Sequence, residues 1–298
     1  MKTTKFIVDG STHFDLAVHP TTRDKQFRDR QDGIEFLQSN AAAIAEHQSR
    51  LNADGRAGVL VLFQGMDASG KDGAIRTVFS QVSQSGLNVV SFKRPTHEEL
   101  AHDYLWRLHR HMPQRGYITV FNRSHYEDVL IVRVHRLYEE LTILDRCKGP
   151  DTIERRYRQI CDYERYLWEN GIVVLKFMLH ISKKEQAKRL LSRIDDPYKN
   201  WKFESDDIAE RERWDDYQCA YEDALNATAT PESPWYVIPA DTKWFARAAI
   251  SQIIRDRIEE LNPQFPVLDV EDIDRLTAYR RLLMSECGKE IAADAEGA

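Results

Sequence analysis

Short, continuous apolar runs alternate along the chain with longer stretches in which apolar residues recur at helical spacing. Each short run has the length of a buried strand and is bounded by glycine, proline or polar residues. The predicted strands are residues 59–63, 87–93, 116–122, 172–181 and 235–240. The predicted helices are residues 34–51, 72–85, 98–110, 126–138, 151–170, 183–193, 206–227 and 245–261. This alternation predicts an α/β fold with a parallel, five-stranded sheet flanked by helices on both faces.

The same pattern divides the chain into three parts. Residues 1–55 are predicted to form a polar N-terminal arm followed by a helix, and residues 56–262 to form the core. Within the core, residues 182–214 are predicted to form a helical lid. Residues 263–298 are predicted to form a C-terminal helical tail.

The first predicted strand ends in a glycine-rich turn that contains the phosphate-binding pattern G-x-x-x-x-G-K, from Gly65 to Lys71. Backbone N–H groups and the helix dipole at such a turn attract an anion, and the lysine adds a positive charge. Asp72 stands where the pattern usually has Ser or Thr, so a glycine turn of another α/β protein is the alternative. The predicted phosphate ligands are Gly65, Ser69, Gly70, Lys71 and Gly73.

Acidic groups occur in this turn and after the third predicted strand. Asp67 precedes Lys71 by four residues and could bind Mg²⁺, although aspartate is also a common turn residue. After the strand, Arg123 could contact the transferring phosphate, and Glu127 or Asp128 could bind metal. Alternatively, these two acids only stabilise a helix N-terminus. Because functional loops of an open α/β sheet meet at the carboxyl ends of its strands, we expect one shared site.

Two basic segments supply further candidates. Residues 92–94, Phe-Lys-Arg, follow the second predicted strand, where an aromatic ring and two cations could hold an acceptor. The lid segment 183–202 has seven basic and three acidic residues. Arg189 and Arg193 within it are four residues apart and therefore share a helix face. Either segment could instead be a solvated basic surface.

The composition limits what the protein binds. The chain of 298 residues has a formal net charge of −6, which disfavours nucleic acid or an anionic membrane as the main partner. A polyanion must therefore meet a local basic patch or metal ions. The sequence has neither a secretory signal nor an apolar run of membrane-spanning length, so we expect a cytoplasmic protein.

Five motifs together resemble the second family of polyphosphate kinases, which have the P-loop kinase fold. The resemblance covers residues 34–261. The motifs are GMDASGKDG at residues 65–73, FKRPT at 92–96, ELAHDYLWR at 99–107, FNRSHYEDVLIVRVH at 121–135 and DDPYKNWKF at 195–203. Each motif alone is weak evidence, whereas the five in this order are specific.

The resemblance implies a reversible transfer of a terminal phosphate between inorganic polyphosphate and a nucleotide. The implied cofactor is Mg²⁺, with Mn²⁺ as the alternative ion. Polyphosphate would extend from Lys71 along the basic lid past Lys199 and Lys202. The residues implied to be catalytic are Asp67, Lys71, Arg123 and one of the two lid arginines, Arg189 or Arg193.

Asn122 departs from the Asp-Arg pair found in much of the family. Glu127 therefore becomes the better second metal ligand beside Asp67. The asparagine and the SHYEDV sequence that follows Arg123 resemble the class that phosphorylates both AMP and ADP. The residues implied to bind the nucleotide are Phe92, Lys93, Arg94, Asn122 and Arg133.

The expected partners are inorganic polyphosphate and adenine or guanine nucleotides, with no nucleic acid and no membrane. We also expect a homodimer or homotetramer. Two other functions stay open at the level of sequence. A nucleoside monophosphate kinase would use ATP as its donor, and a regulatory protein would bind nucleotide or polyphosphate without turnover.

Overall fold

A computed structural model of the chain describes residues 1–203 and 205–287. The chain forms two compact units, Met1–Pro263 and a second unit that begins at Gln264. The second unit contains one long helix, Val270–Cys287, and the first unit contains the sheet and the remaining helices. Every helix of the described residues is too short or too polar to cross a membrane.

One six-stranded sheet forms the centre of the first unit. Its strands are β1 (Ile7–Val8), β2 (Gly58–Gln64), β3 (Leu87–Ser91), β4 (Ile118–Asn122), β5 (Ile172–His180) and β6 (Trp235–Pro239). The spatial order is β1-β6-β5-β2-β4-β3. Strands β2 to β6 run parallel, which confirms the predicted parallel sheet. The antiparallel edge strand β1 was not predicted, because two residues within a polar arm give no periodic signal.

Strand β2 lies in the middle of the sheet, and every one of its residues is buried. Val61 is opposite Leu175 of β5 on one side and Val120 of β4 on the other. Such a strand is apolar on both faces, which explains its continuous hydrophobic run. The loop that follows β2 therefore begins at the centre of the sheet's carboxyl edge.

Helices cover both faces of the sheet. They are α1 (Arg30–Asp54), α2 (Lys71–Val78), α3 (His97–Leu100), α4 (Trp106–His109), α5 (Ile131–Val134), α6 (Thr152–Glu169), α7 (Lys183–Ile194), α8 (Asp206–Glu212), α9 (Trp214–Thr228) and α10 (Lys243–Glu260). Helix α10 packs against α1 and α2 over one apolar cluster that includes Val61. Helix α6 packs against α9 over the other cluster, which includes Leu60 and Leu62.

Four predicted helices differ from the observed ones. The stretch 126–138 contains only the four-residue helix α5, between two 3-10 turns, His125–Asp128 and Leu137–Glu139. The helix predicted over 206–227 is two helices, because Arg213 leaves helical geometry with φ −89° and ψ 22°. No proline or glycine marks this break. The stretch 98–110 forms only the short helices α3 and α4. Helix α2 ends at Val78, since Phe79 takes φ −98° and ψ 17°.

Candidate active site

The glycine-rich loop between β2 and α2 has a left-handed backbone at two of its glycines. Gly65 and Gly70 have φ values of 141° and 109°. A Cβ atom on Gly65 would lie 2.8 Å from the carbonyl oxygen of Leu179, so no other residue fits there. The loop therefore lies tightly over the end of β5.

Lys71 begins α2 and is buried beneath the loop. Its Nζ donates to the carbonyl oxygens of Gly65 at 2.6 Å and Met66 at 3.3 Å. Burial lowers the pKa of Lys71, and the neighbouring Arg123 lowers it further. Carboxylates nearby raise this pKa and so oppose the two effects; they belong to Asp67, Glu127 and Asp72.

Arg123 joins two carboxylates from different parts of the chain. Its Nη2 lies 2.7 Å from Asp67 Oδ1, and its Nη1 lies 3.6 Å from Glu127 Oε2. Glu127 and then Asp67 raise the pKa of Arg123 against the opposing effect of burial. The structure thus brings together four predicted site residues, Asp67, Lys71, Arg123 and Glu127.

The backbone of Arg123 is itself unusual. Its φ is 64°, a left-handed conformation that few residues other than glycine adopt. Its N–H donates to the carbonyl of Phe63 at 3.1 Å, which ties the segment after β4 to the end of β2. Strain of this kind costs about 1–3 kcal/mol and is concentrated at functional sites.

Asn122 and Asp72 meet on the other side of the loop. Asn122 ends β4, Asp72 is the second residue of α2, and the amide Nδ2 donates to Asp72 Oδ1 at 2.6 Å. Asn122 therefore lies beside the glycine-rich loop. It also lies beside residues 92–94, which are implied to bind the nucleotide.

The two lid arginines lie in different surroundings. Arg189 is buried, and all five of its N–H donors are used within the protein. Their acceptors are Glu185 and the carbonyl oxygens of Ala68, Ser69, Ala240 and Asp241. In this arrangement Arg189 supports the glycine-rich loop from below. Arg193 lies one turn farther along α7, with its Nη1 3.3 Å from Asp207 Oδ2.

The residues implied to bind the nucleotide do not form one cluster of free side chains. Phe92 is 7% exposed, and its ring packs edge-on against Phe121 with centroids 4.8 Å apart. Such a ring has little surface left for a base. The exposed Lys93 accepts a hydrogen bond at its carbonyl from Arg107 at 3.0 Å. Arg94 is 92% exposed and lies 3.1 Å from Asp206.

Arg133 and the lid lysines complete the predicted set. Arg133 forms an ion pair with Asp223 and donates to the Tyr157 hydroxyl at 3.2 Å. Lys199 pairs with Asp196 within the lid. The side chain of Lys202 lies outside the described residues.

Two residues that form hydrogen bonds with the loop were not predicted from the sequence. The hydroxyl of Tyr221 on α9 accepts a hydrogen bond from the Gly65 N–H at 3.0 Å. Gln186 on α7 donates to the carbonyl of Asp67 at 3.0 Å. Tyr221 is 156 positions from Gly65 in the chain, so no local pattern reveals the contact.

The chain is similar to proteins of known family. The family described as Polyphosphate kinase 2 (PPK2) matches residues 27–266. An ADP-polyphosphate phosphotransferase of Rhodopseudomonas palustris is 45% identical over 268 residues, which are 89% of this chain and 93% of that protein. An AMP/ADP-polyphosphate phosphotransferase of Meiothermus ruber is 46% identical, over 80% of this chain and 85% of that protein.

A solved structure extends the similarity to three dimensions. The crystal structure of polyphosphate kinase 2 from Arthrobacter aurescens TC1 has a TM-score of 0.83 and 38% sequence identity to this chain. The match covers 91% of this chain and 95% of that one. Family, relatives and structure confirm the resemblance inferred from the five motifs, and the chain belongs to the polyphosphate kinase 2 family.

Proposed function

We propose that the protein transfers a terminal phosphoryl group from inorganic polyphosphate to nucleoside mono- and diphosphates, converting AMP to ADP and ADP to ATP, in a reversible reaction. The observation that carries this proposal is the convergence of Lys71, Asp67, Arg123 and Glu127 around one glycine-rich loop. The similar proteins from R. palustris and M. ruber are both polyphosphate phosphotransferases by name, which supports polyphosphate as the donor.

The proposed step is a direct displacement. A terminal phosphate oxygen of the nucleotide forms a bond to the terminal phosphorus of the chain, and the bond from that phosphorus to the bridging oxygen breaks. The nucleotide gains one phosphate, and the chain leaves shortened by one unit. Such a transfer depends on alignment and charge neutralisation more than on covalent help from the protein.

The position of each residue determines its role in the transfer. Backbone N–H groups of the loop after Gly65, whose own N–H is bonded to Tyr221, and the Lys71 ammonium bind the reacting end of the polyphosphate. Arg123 stabilises the negative charge that develops on the transferring group. Its ion pairs with Asp67 and Glu127 orient the guanidinium toward the loop.

The carboxylates of Asp67 and Glu127 fit a Mg²⁺ site of the open kind. Among the described residues, no three His, Cys, Asp or Glu side chains form a closed metal cage. Mg²⁺ in phosphate-transfer sites needs only one or two carboxylates, because water and substrate phosphates supply the other oxygens. When bound, the ion neutralises phosphate charge. Mn²⁺ accepts the same oxygen ligands.

Product analysis tests the proposed function. The protein is incubated with polyphosphate, Mg²⁺ and AMP, ADP, GMP or GDP, and products are separated in both reaction directions. We expect phosphorylated nucleotides that depend on polyphosphate and disappear with a chelator. Faster transfer from ATP than from polyphosphate would instead identify a nucleoside monophosphate kinase. Binding that Lys71→Ala abolishes, without any turnover by the unmodified protein, would identify a regulator.

A further inference from the structure

A charged residue interrupts the apolar run of β5. Lys176 stands in the middle of this strand, and its side chain is 0% exposed. Its Nζ donates to Glu164 Oε2 at 2.6 Å, to the carbonyl oxygen of Thr228 at 2.7 Å and to the hydroxyl oxygen of Tyr126 at 3.2 Å. An apolar pair of similar size often stabilises a core at least as well as a buried ion pair, so stability alone does not explain this arrangement.

Tyr126 connects the buried ion pair to the segment that follows β4. Its hydroxyl donates to Glu164 Oε1 at 2.8 Å while it accepts from Lys176. Burial, and then the charge of Glu164, raise the pKa of Tyr126 well above its ordinary value, so the hydroxyl stays protonated and remains a donor. The ring packs edge-on against Trp235 of β6, with centroids 4.5 Å apart. The side chain is therefore fixed both at its ring and at its hydroxyl.

The two residues before Tyr126 are buried beside it. The side chain of His125 is 0% exposed, and its Nε2 lies 3.4 Å from Glu164 Oε1. The backbone N–H of Tyr126 donates to the hydroxyl of the buried Ser124 at 3.3 Å. Glu164 thus faces two consecutive side chains of one turn, which ties this turn to helix α6.

The same turn carries two residues of the candidate active site. Arg123 and Glu127 lie on either side of the buried residues 124–126, and their side chains form an ion pair at 3.6 Å. Arg123 also contacts Asp67 of the glycine-rich loop. Its left-handed backbone, with φ 64°, persists only where the surrounding structure enforces it. A shift of Tyr126 would therefore change the orientation of both charged side chains.

We propose that Tyr126 is a positioning residue for phosphoryl transfer. The buried pair of Glu164 and Lys176 anchors its hydroxyl. The anchored tyrosine in turn fixes the backbone from which Arg123 and Glu127 extend toward the loop. Small errors in the placement of such groups are costly, because a displacement of about 1 Å can lower a rate about 100-fold. This inference rests on the proposed function and assigns a role in that reaction to a side chain of the core.

The variant Tyr126→Phe removes the hydroxyl and keeps the ring. We expect kcat with polyphosphate and ADP to fall about tenfold while the KM of each substrate changes by less than about threefold, because Arg123 acts on charge that develops in the transition state. Tyr236→Phe, at a buried tyrosine of the other apolar cluster, is the matched control and should leave kcat unchanged. An unchanged kcat in Tyr126→Phe would overturn the inference.

A double-mutant cycle separates positioning from a general loss of stability. If Tyr126 acts through Arg123, Tyr126→Phe should lower kcat by less than about threefold in the background Arg123→Gln, against about tenfold in the wild-type background. A general loss of stability would lower kcat by the same factor in both backgrounds. Equal factors would therefore contradict the positioning role.

The buried ion pair provides a second separation of the two roles. The double variant Lys176→Met/Glu164→Leu fills the core with apolar side chains but removes the anchor of the Tyr126 hydroxyl. We expect it to recover much of the free energy of unfolding that Lys176→Met alone loses, while its kcat stays about as low as that of Tyr126→Phe. Recovery of both quantities would show that the pair serves stability only.

Amide hydrogen exchange provides a measurement that does not require turnover. We expect residues 123–127 to exchange faster in Tyr126→Phe than in the wild-type protein, while strand β2 exchanges equally in both. Equal exchange of residues 123–127 would contradict the inference, whether or not the protein is active. A wild-type protein that transfers no phosphate from polyphosphate would contradict the proposed function instead, so the two failures are distinguishable.

Discussion

The side-chain amide of Asn122 donates to the carboxylate of Asp72 over 2.6 Å. Each residue departs from an expected pattern: Asp72 replaces the Ser or Thr of the loop motif, and Asn122 replaces an aspartate. The two departures are in contact, and a neutral amide at 122 is compatible with a carboxylate at 72 where a second carboxylate would be repelled. The two positions therefore act as a pair.

Changing one residue of this pair should lower the activity, and exchanging the two residues should lower it less. We expect Asn122→Asp to lower kcat/KM about tenfold, since like charges then meet beside the loop. Asp72→Asn in the same chain restores a donor and acceptor and should recover most of the loss. Steady-state kinetics of the two single variants and the double variant measure the coupling. Strictly additive effects would show that the contact has no role in activity.

The hydrogen bond from Gly65 to Tyr221 predicts a role for a residue outside the loop motif. Tyr221→Phe removes only the hydroxyl and leaves the buried Gly65 N–H without its partner, which costs about 1–3 kcal/mol. We expect a lower free energy of unfolding and a higher KM for polyphosphate. Tyr166→Phe, at an exposed tyrosine of α6, is the matched control. Equal behaviour of the two variants would contradict the prediction.

A buried ion pair between β5 and α6 predicts an effect on the free energy of unfolding. Nζ of Lys176 lies 2.6 Å from Glu164 Oε2, and the two side chains are 0% and 2% exposed. Lys176→Met should lower the free energy of unfolding by about 3–5 kcal/mol, because Glu164 is left as an uncompensated buried charge. The double variant Lys176→Met/Glu164→Leu should recover much of this loss. Urea unfolding measures both, and a double variant no more stable than Lys176→Met would refute the explanation.

His180 at the end of β5 predicts a dependence of stability on pH. Burial, and then repulsion by His19, lowers the pKa of His180 from 6.5 to about 4. Its Nδ1 is buried and has no hydrogen-bond partner within the described part of the chain. Since the unfolded state binds the proton more readily, stability from this residue is present above pH 6.5 and is lost as the pH falls toward 4.

The variant His180→Gln tests that dependence, because glutamine does not titrate. Each unit of pKa difference corresponds to about 1.4 kcal/mol. We expect the free energy of unfolding of the wild-type protein to fall more steeply between pH 7 and pH 5 than that of the variant, whatever their absolute stabilities. Parallel curves in urea unfolding at several pH values would rule out a contribution from His180.

The order of strand, loop and helix around Lys71 was predictable because each part has a local signal. The apolar run of β2, the glycines of the loop and the periodicity of α2 all lie within one short stretch. The closeness of Asp67 and Arg123 followed from the rule that parallel strands end at one edge, whereas the ion pair between them was not predicted. For these residues, local sequence signals and the parallel order of the strands were sufficient to predict the arrangement.

The supports beneath the loop were not predictable, because they depend on tertiary contacts between distant segments. Arg189 and Arg193 carry the same charge and lie four residues apart on one helix. Nothing in the local sequence indicates that Arg189 binds loop carbonyls while Arg193 pairs with Asp207. Phe92 likewise has the aromatic character of a base-binding residue, whereas its packing against Phe121 belongs to the core.

At Gly73, the stability of helix α2 and the position of the Arg247 guanidinium favour different residues. Glycine within a helix costs about 0.5–1 kcal/mol relative to alanine, so a search for more stable variants would favour alanine in this first turn of α2. The new methyl group would meet the guanidinium of Arg247 at 2.6 Å and displace it. At this residue, selection for a more heat-resistant protein and retention of a cation beside the loop therefore act in opposite directions.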